Sequence, residues 1–294
     1  MLKKIKRGTH ADLNGNFEIP AKYKSNGIIK ISSIGYMSKE VPLSQLNSNG
    51  INIIYLSTSN NKLDEVVISP KLSGKFKKET LKPYLDDDYY KCWLPTIESE
   101  IAVYFPKTTP KDQQLTQVVF PIALESKNWQ KRKRANSEKK AFSTLFKFKF
   151  YTNTKGLPDK ALTYETLVFR ATEKNGDTYT LNVEDYDIYI PENGFFVSLQ
   201  VLGYTDKAGK LLPNKKYKEI KSKSGGILKI PTNFRPLLPF TDQMETKNTY
   251  IKRVFINGNN WTKFDKGNGL KSGLLNNNLY NYGIGITFKT FTND

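Results

Sequence analysis

Residues 186–203 read Tyr186-Asp187-Ile188-Tyr189-Ile190-Pro191-Glu192-Asn193-Gly194-Phe195-Phe196-Val197-Ser198-Leu199-Gln200-Val201-Leu202-Gly203. Ile188, Ile190, Phe195, Val197, Leu199 and Val201 alternate with more polar neighbours, the period of a half-buried strand. Pro191-Glu192-Asn193-Gly194 is turn chemistry, because proline presets φ and Asn-Gly tolerates positive φ. The stretch predicts two strands joined by a tight turn at the centre of a sheet. It carries no catalytic signature, and no other segment states a chemical activity.

Composition sets the bounds around this hairpin. The 294 residues suggest two domains. Hydrophobic residues make up 38% and aromatic residues 13%, a balance that suits pleated, half-buried surfaces. The formal net charge is +18. Only Arg7, Arg132, Arg134, Arg170, Arg235 and Arg253 supply guanidinium groups; the rest of the excess is lysine. Arginine makes the bidentate contacts to phosphate and guanine, so the charge disfavours nucleic acid as the partner. It fits solubility or a compositional bias first, and an anionic polymer or membrane surface second.

Cys92 is the single cysteine and His10 the single histidine. No intrachain disulfide can form. One Cys and one His cannot make a zinc site of the usual kind, and a Cys–His or Ser–His catalytic pair would have to draw on that one imidazole. No catalytic residue, resident metal or cofactor is therefore expected. Cys92 is expected to be a buried small apolar side chain. No apolar run approaches the ~20 residues of a membrane-spanning helix. The basic start Met1-Leu-Lys-Lys-Ile-Lys-Arg7 leads into Gly8-Thr9-His10 with no signal-peptide core.

Residues 1–70 read as short strands and turns. Asn14-Gly15 marks a hairpin. Gly27–Gly35, Gly50–Leu56 and Leu63–Ile68 read as strands, the last stopped by Pro70. Residues 71–95 turn polar, with Lys71 to Lys78 basic and Asp86-Asp87-Asp88 acidic, and read as a linker. The three aspartates suit a solvated turn or a calcium ligand set, though an oxygen cage wants spaced ligands. From residue 96 the strands lengthen: 100–105, 114–124, 143–152, 162–171, 178–183, the opening hairpin, 226–230, 250–256 and 282–288. Phe146, Phe148 and Phe150 share one face. Gly156–Lys160 reads as a loop. With no amphipathic helix between the strands, residues 96–294 read as an antiparallel sandwich.

Gly8-Thr9, Asp12-x-Asn14-Gly15-x-Phe17-x-Ile19, Ile29-x-Ile31-Ser-x-Ile34-Gly35-Tyr36 and Leu63-Asp-Glu-Val-Val-Ile68 follow one another in order. This series resembles the carboxypeptidase regulatory-like domain. The resemblance implies a small transthyretin-like β-sandwich, common in Bacteroidetes cell-envelope proteins and placed before the plug of many TonB-dependent receptors. Members begin with a further strand and a Pro-containing segment ahead of the Gly-Thr motif, so the copy at 1–70 is expected to be partial, cut at its start and lacking any signal peptide that preceded it. Glu100–Phe105, Phe146–Tyr151 leading into Gly156-Leu-Pro158, and Ile190-Pro-x-x-Gly-Phe-Phe-Val197 are similar to a jelly-roll-like module that follows this domain in envelope proteins. Together these imply an all-β chain, an incomplete transthyretin-like β-sandwich followed by a larger antiparallel jelly-roll-like β-sandwich. They also imply a periplasmic, outer-membrane-associated or secreted location.

Two stretches suit binding. Asn128–Lys140 is the densest basic segment, with Trp129 beside Arg132 and Arg134; it suits a mobile hairpin loop or a contact to a polyanion, by stacking and charge neutralisation. Asn257–Phe264 sets Trp261 in a polar turn beside Asn259 and Asn260. That arrangement suits an aromatic platform under a sugar ring or a tryptophan folded over the core edge. Glu184, Asp185 and Asp187, and Glu98 with Glu100, could supply the paired carboxyls of a glycosidase, but read as solvated faces. Gly267-Asn-Gly269 and Gly283-Ile-Gly285 lack the strand–helix setting of a nucleotide loop and read as turns or a bulge. The reading is a non-catalytic binding or structural module of the bacterial cell envelope, with glycans or envelope proteins as partners. Its alternative is a carbohydrate-active or peptide-processing envelope enzyme.

Overall fold

The computed structural model describes residues 11, 15–19, 27–31, 36–37, 39–48, 50–58, 72–85, 91–93, 97, 99–128, 138–163, 167–212, 217–221, 227–231, 236–253, 260–270 and 272–292. His10, Leu63–Ile68, Asp86–Asp88, Glu98, Trp129, Arg132, Arg134 and Asn259 lie outside the described residues. The chain divides into two compact units, a small one within Thr9–Glu65 and a larger one holding Val66–Asp294.

In the small unit, β1 (Ile28–Ile31) and β2 (Lys39–Pro42) form an antiparallel pair. The segment Gly50–Leu56, expected as a strand, joins no ladder; only Tyr36 and Thr58 bridge nearby. The Asn52 side chain accepts from the Asn47 amide at 2.8 Å and donates to the Asn47 carbonyl at 2.8 Å, closing a local turn ahead of this segment.

The larger unit is all-β. Its strands are β3 (Phe76–Leu81), β4 (Cys92–Trp93), β5 (Glu100–Phe105), β6 (Gln113–Pro121), β7 (Ser143–Thr154), β8 (Leu157–Ala161), β9 (Leu167–Thr172), β10 (Thr178–Asn182), β11 (Phe195–Tyr204), β12 (Tyr217–Lys221), β13 (Ile227–Pro231), β14 (Leu238–Thr241), β15 (Thr249–Lys252), β16 (Thr262–Lys263), β17 (Asn281–Tyr282) and β18 (Gly285–Phe291). A four-stranded sheet runs β10-β6-β18-β3, and a seven-stranded sheet runs β16-β15-β5-β11-β7-β8, with β9 also on β7. β17-β14-β4 and β12-β13 complete the ladders, all antiparallel. One short helix, α1 (Gly273–Asn276), starts from the Ser272 hydroxyl, which accepts from the Leu274 amide at 3.3 Å.

The two larger sheets share one apolar core, which makes the unit a sandwich. Ile101, Val103, Phe146, Phe148, Phe150, Val197 and Leu199 meet Leu115, Val118, Phe120, Ile286 and Phe288. The alternation expected for Phe146, Phe148 and Phe150 is present, and all three are buried. Phe148 meets Phe120 of the opposite sheet with ring centroids 3.9 Å apart.

Three expectations are corrected. First, Ile188–Ile190 and β11 do not pair with each other. Leu115 donates to the Ile188 carbonyl and Ile190 donates to the Gln113 carbonyl, each at 2.8 Å, so this segment belongs beside β6, while β11 lies between β5 and β7. Pro191–Gly194 is thus a corner that carries the chain from one sheet to the other. Gly194 sits at φ +72°, and a Cβ there would meet the Phe105 carbonyl oxygen at 2.5 Å. Second, the expected linker 71–95 contains β3, which pairs with β18 from Leu81↔Ile286 to Phe76↔Phe291. Third, of the expected loop Gly156–Lys160 only Gly156 is turn and Leu157–Lys160 belongs to β8, because Lys155 (φ 53°) and Gly156 (φ 79°) make a tight hairpin from β7 into β8. Cys92 is half-buried in β4 opposite Pro239. Gly267 (φ 90°) and Gly269 (φ 75°) are turn residues as expected. Gly283 and Gly285 instead allow close approach, since a Cβ on either would lie under 3 Å from Tyr84 or Pro83.

Candidate ligand-binding face

Side chains alternate along a strand, so the core residues fix what the outer face of the seven-stranded sheet carries. With Ile101, Val103 and Phe105 inward, β5 turns Glu100, Ala102 and Tyr104 outward. β11 turns out Phe196, Ser198 and Gln200; β7 turns out Lys147, Lys149 and Tyr151; β15 turns out Tyr250 and Lys252. The register aligns these in rows across the strands. Lys147 is opposite Gln200, Gln200 opposite Glu100, and Glu100 opposite Lys252. In the next row Lys149 is opposite Ser198, Ser198 opposite Ala102, and Ala102 opposite Tyr250. Then come Tyr151, Phe196 and Tyr104. The first two rows each span four strands, about 14 Å, and the third spans three.

Glu100 anchors the face. Expected as a solvated carboxylate, it is 2% exposed. Its Oε1 accepts from the Tyr151 hydroxyl at 2.8 Å and from the Ser198 hydroxyl at 2.7 Å, and its Oε2 lies 3.0 Å from Lys252 Nζ. Burial pushes this carboxyl up, but Lys252, the Ser198 hydrogen bond and Lys149 together outweigh burial and hold it below its ordinary value. Burial and the Glu100 charge push the Tyr151 phenol well up, which keeps its proton available to donate. Burial, then Lys149 nearby, lowers Lys147.

Aromatic side chains fill the other end. Phe196, Ala102 and Tyr151 form a small buried cluster, with Tyr104, Tyr250 and Trp261 half-buried against it. The Tyr151 and Trp261 rings meet edge to face, with centroids 5.9 Å apart and planes at 75°. Lys252 Nζ lies 4.7 Å from the Trp261 ring centroid. The Tyr104 hydroxyl and the Asn153 amide both donate to the Asn193 carbonyl at 2.9 Å, which ties this end to the corner.

Of the residues singled out in the sequence, Trp261 and Glu100 stand on this face and Asn260 beside Trp261 is exposed. Trp129, Arg132, Arg134 and Asn259 fall outside the described residues. The base of the basic loop is described: Lys127 donates to the Glu138 carbonyl at 2.8 Å and Lys140 to the Glu125 carbonyl at 2.7 Å, with Lys127–Glu138 and Lys140–Glu125 ion pairs beside them. Glu184 and Asp187 line a cleft with Leu72, Phe76 and Phe291, yet each is engaged. Glu184 pairs with Lys289, and Asp187 accepts from Gln114 Nε2 at 3.0 Å. No cluster of three or more His, Cys, Asp or Glu suited to a metal occurs among the described residues. No described helix is long and apolar enough to cross a membrane.

None of the curated proteins matches the chain. A solved structure of the cysteine protease and lectin-like domains of Cwp84, a surface layer associated protein of Clostridium difficile, aligns at 11% identity with a TM-score of 0.33. The alignment covers 72% of this chain and 36% of that one, and at that score it carries no argument about fold or function. The family match is confined to the start of the chain: residues 1–68 match the model of the CarboxypepD_reg-like domain.

Proposed function

We propose that this chain is a non-catalytic binding module of the bacterial cell envelope, and that it holds a glycan on the outer face of its seven-stranded sheet. The observation that carries this reading is the set of half-buried rings of Trp261, Tyr250 and Tyr104 seated on buried Phe196 and Tyr151, next to a hydrogen-bonded Glu100. Aromatic rings fixed by neighbours offer apolar faces to sugar C–H groups at little entropic cost, and adjacent polar groups meet the hydroxyls. The regulatory-like match at residues 1–68 supports the envelope setting, periplasmic, outer-membrane-associated or secreted, and the Bacteroidetes origin that such a domain implies. The larger sandwich is read as the jelly-roll-like module that accompanies it. Envelope proteins are the other partner class this setting suggests.

The enzymatic alternative would draw on the acidic cleft, but Lys289 and Gln114 occupy Glu184 and Asp187. The carboxylate of Glu100 is likewise held by three donors, which favours a positioning role over proton transfer. Affinity electrophoresis through gels containing a panel of neutral and acidic polysaccharides tests the reading. Retention by at least one polysaccharide, lost in Trp261→Ala, is expected. No retention on any gel, or retention indifferent to Trp261→Ala, would rule it out.

A further inference from the structure

The charge on this face is unbalanced. Lys147 and Lys252 flank Gln200 and Glu100 in one row, and Lys149 stands in the next. The charges felt at Glu100 are those of Lys252 and Lys149, and Lys147 feels Glu100 against Lys149 and Lys252. The carboxylate is spent on Lys252, Ser198 and Tyr151. Lys149 Nζ lies 5.6 Å from the Tyr151 ring centroid. Three ammonium groups and one carboxylate leave two positive charges beside the aromatic cluster.

Such an arrangement is unfavourable while the face is empty. Lys147 feels both the loss of water and its like-charged neighbour, and its proton affinity falls accordingly. A bound anion would offset both effects, because opposite charge in a partly dehydrated site favours the ammonium form. We infer that the face selects acidic glycans, with a carboxylate or sulfate group of the sugar set between Lys147 and Lys149 while Trp261, Tyr250 and Tyr104 hold the rings. This rests on the carbohydrate-binding reading and adds the class of sugar.

A chain of net charge +18 will be slowed by any polyanion, so the test must separate the site from the bulk charge. Gels carry a uronate polysaccharide or a sulfated one, or their carboxyl-reduced and desulfated counterparts. Three proteins are compared: wild type, Lys147→Ala/Lys149→Ala, and Lys77→Ala/Lys78→Ala on exposed β3. All keep the Glu100–Lys252 pair, and thermal melts check the fold. The expected result is a wild-type affinity for an acidic polymer about tenfold above its neutral counterpart, lost in the Lys147/Lys149 variant and kept in the Lys77/Lys78 variant. Glu100→Gln, which removes the one opposing charge, should tighten acidic binding.

Equal loss in both lysine pairs would reduce the effect to bulk charge and overturn the inference. Retention of acidic and neutral polymers alike, still lost in Trp261→Ala, would overturn the acidic preference and leave the glycan reading standing. No retention of any polymer removes both. Binding of single-stranded DNA through Lys147 and Lys149 in preference to every glycan would also overturn the inference.

Discussion

The Tyr151 hydroxyl reaches Glu100 Oε1 at 2.8 Å from two strands away, passing over Ser198. One phenol therefore serves both halves of the face: its ring supports Trp261 and its hydroxyl fixes the buried carboxylate. Tyr151→Phe keeps the ring and removes the donor. Loss of one hydrogen bond to a buried charged group should lower stability by about 1.5–3 kcal/mol. Trp261→Ala, by contrast, should abolish ligand retention with a smaller fall in the melting midpoint, because Trp261 is half-buried. Urea denaturation of both variants checks the difference.

The buried carboxylate also predicts a response to acid. Glu100 is held below its ordinary value of 4.5. Its contribution to stability is therefore complete above the unfolded value and is lost as pH falls through the lower folded value. Wild type should lose more stability than Glu100→Gln between about pH 5 and pH 2. At neutral pH Glu100→Gln should be the less stable protein, since Lys252 loses its partner. Parallel melting curves across that range would contradict the assignment.

The core prediction concerns Phe148. It is fully buried, with Phe120 across the sandwich and Phe169 4.9 Å away on β9. Phe148→Ala should cost about 3–5 kcal/mol, read as a shift in the urea midpoint at unchanged slope. The far-ultraviolet circular dichroism spectrum should stay strand-dominated.

Gly194 is the corner's strict requirement. Its φ of +72° disfavours any Cβ, and one placed there would also stand 2.6 Å from the Tyr104 hydroxyl. Gly194→Ala should cost at least about 1–3 kcal/mol from backbone strain and should weaken ligand retention as well, by displacing Tyr104. Gly156→Ala is the comparison: its φ is +79° but nothing lies within 4 Å of the added carbon. It should destabilise less and leave retention unchanged.

The basic loop divides into stem and tip. The backbone pairs at 125–127 and 138–140 close the loop, and Lys140 with Glu125 is half-buried. Replacing residues 129–137 with a short glycine-serine link should leave the melting midpoint unchanged, because the pairs that close the loop are kept. Extending the deletion through Lys140 should lower it.

How far the sequence reaches is seen by comparing residues. Phe146, Phe148 and Phe150 announce their shared face, because a strand's period of two is written in the chain itself. β3, Phe76-Lys-Lys-Glu-Thr-Leu81, gives no such sign: it is an edge strand exposed on nearly every position, so its composition resembles a linker. Pro191–Gly194 is legible as a turn. Whether the chain turns back on its own strand or crosses to another sheet depends on partners far away, such as Gln113 and Leu115. The candidate face is legible at Trp261, and at Glu100 only as a carboxylate read as solvated. Its other members stand on four separate strands, and only the register shows that Lys147, Gln200, Glu100 and Lys252 form one row.

The pairing of β3 with β18 sets an order of events during synthesis. Thr80 and Thr287 touch through their hydroxyls at 3.2 Å across 207 residues of chain. A contact of such sequence separation forms late, after a large loop has been closed. On the ribosome, β3 and β6 emerge long before the strand that must lie between them. Throughout that interval β6 presents an open edge, its backbone groups on the β18 side without their partners. That is the state in which a nascent chain pairs wrongly with a neighbour. A holdase chaperone added to a cell-free translation should therefore raise the soluble yield of this protein, most of all before residue 285 has been made.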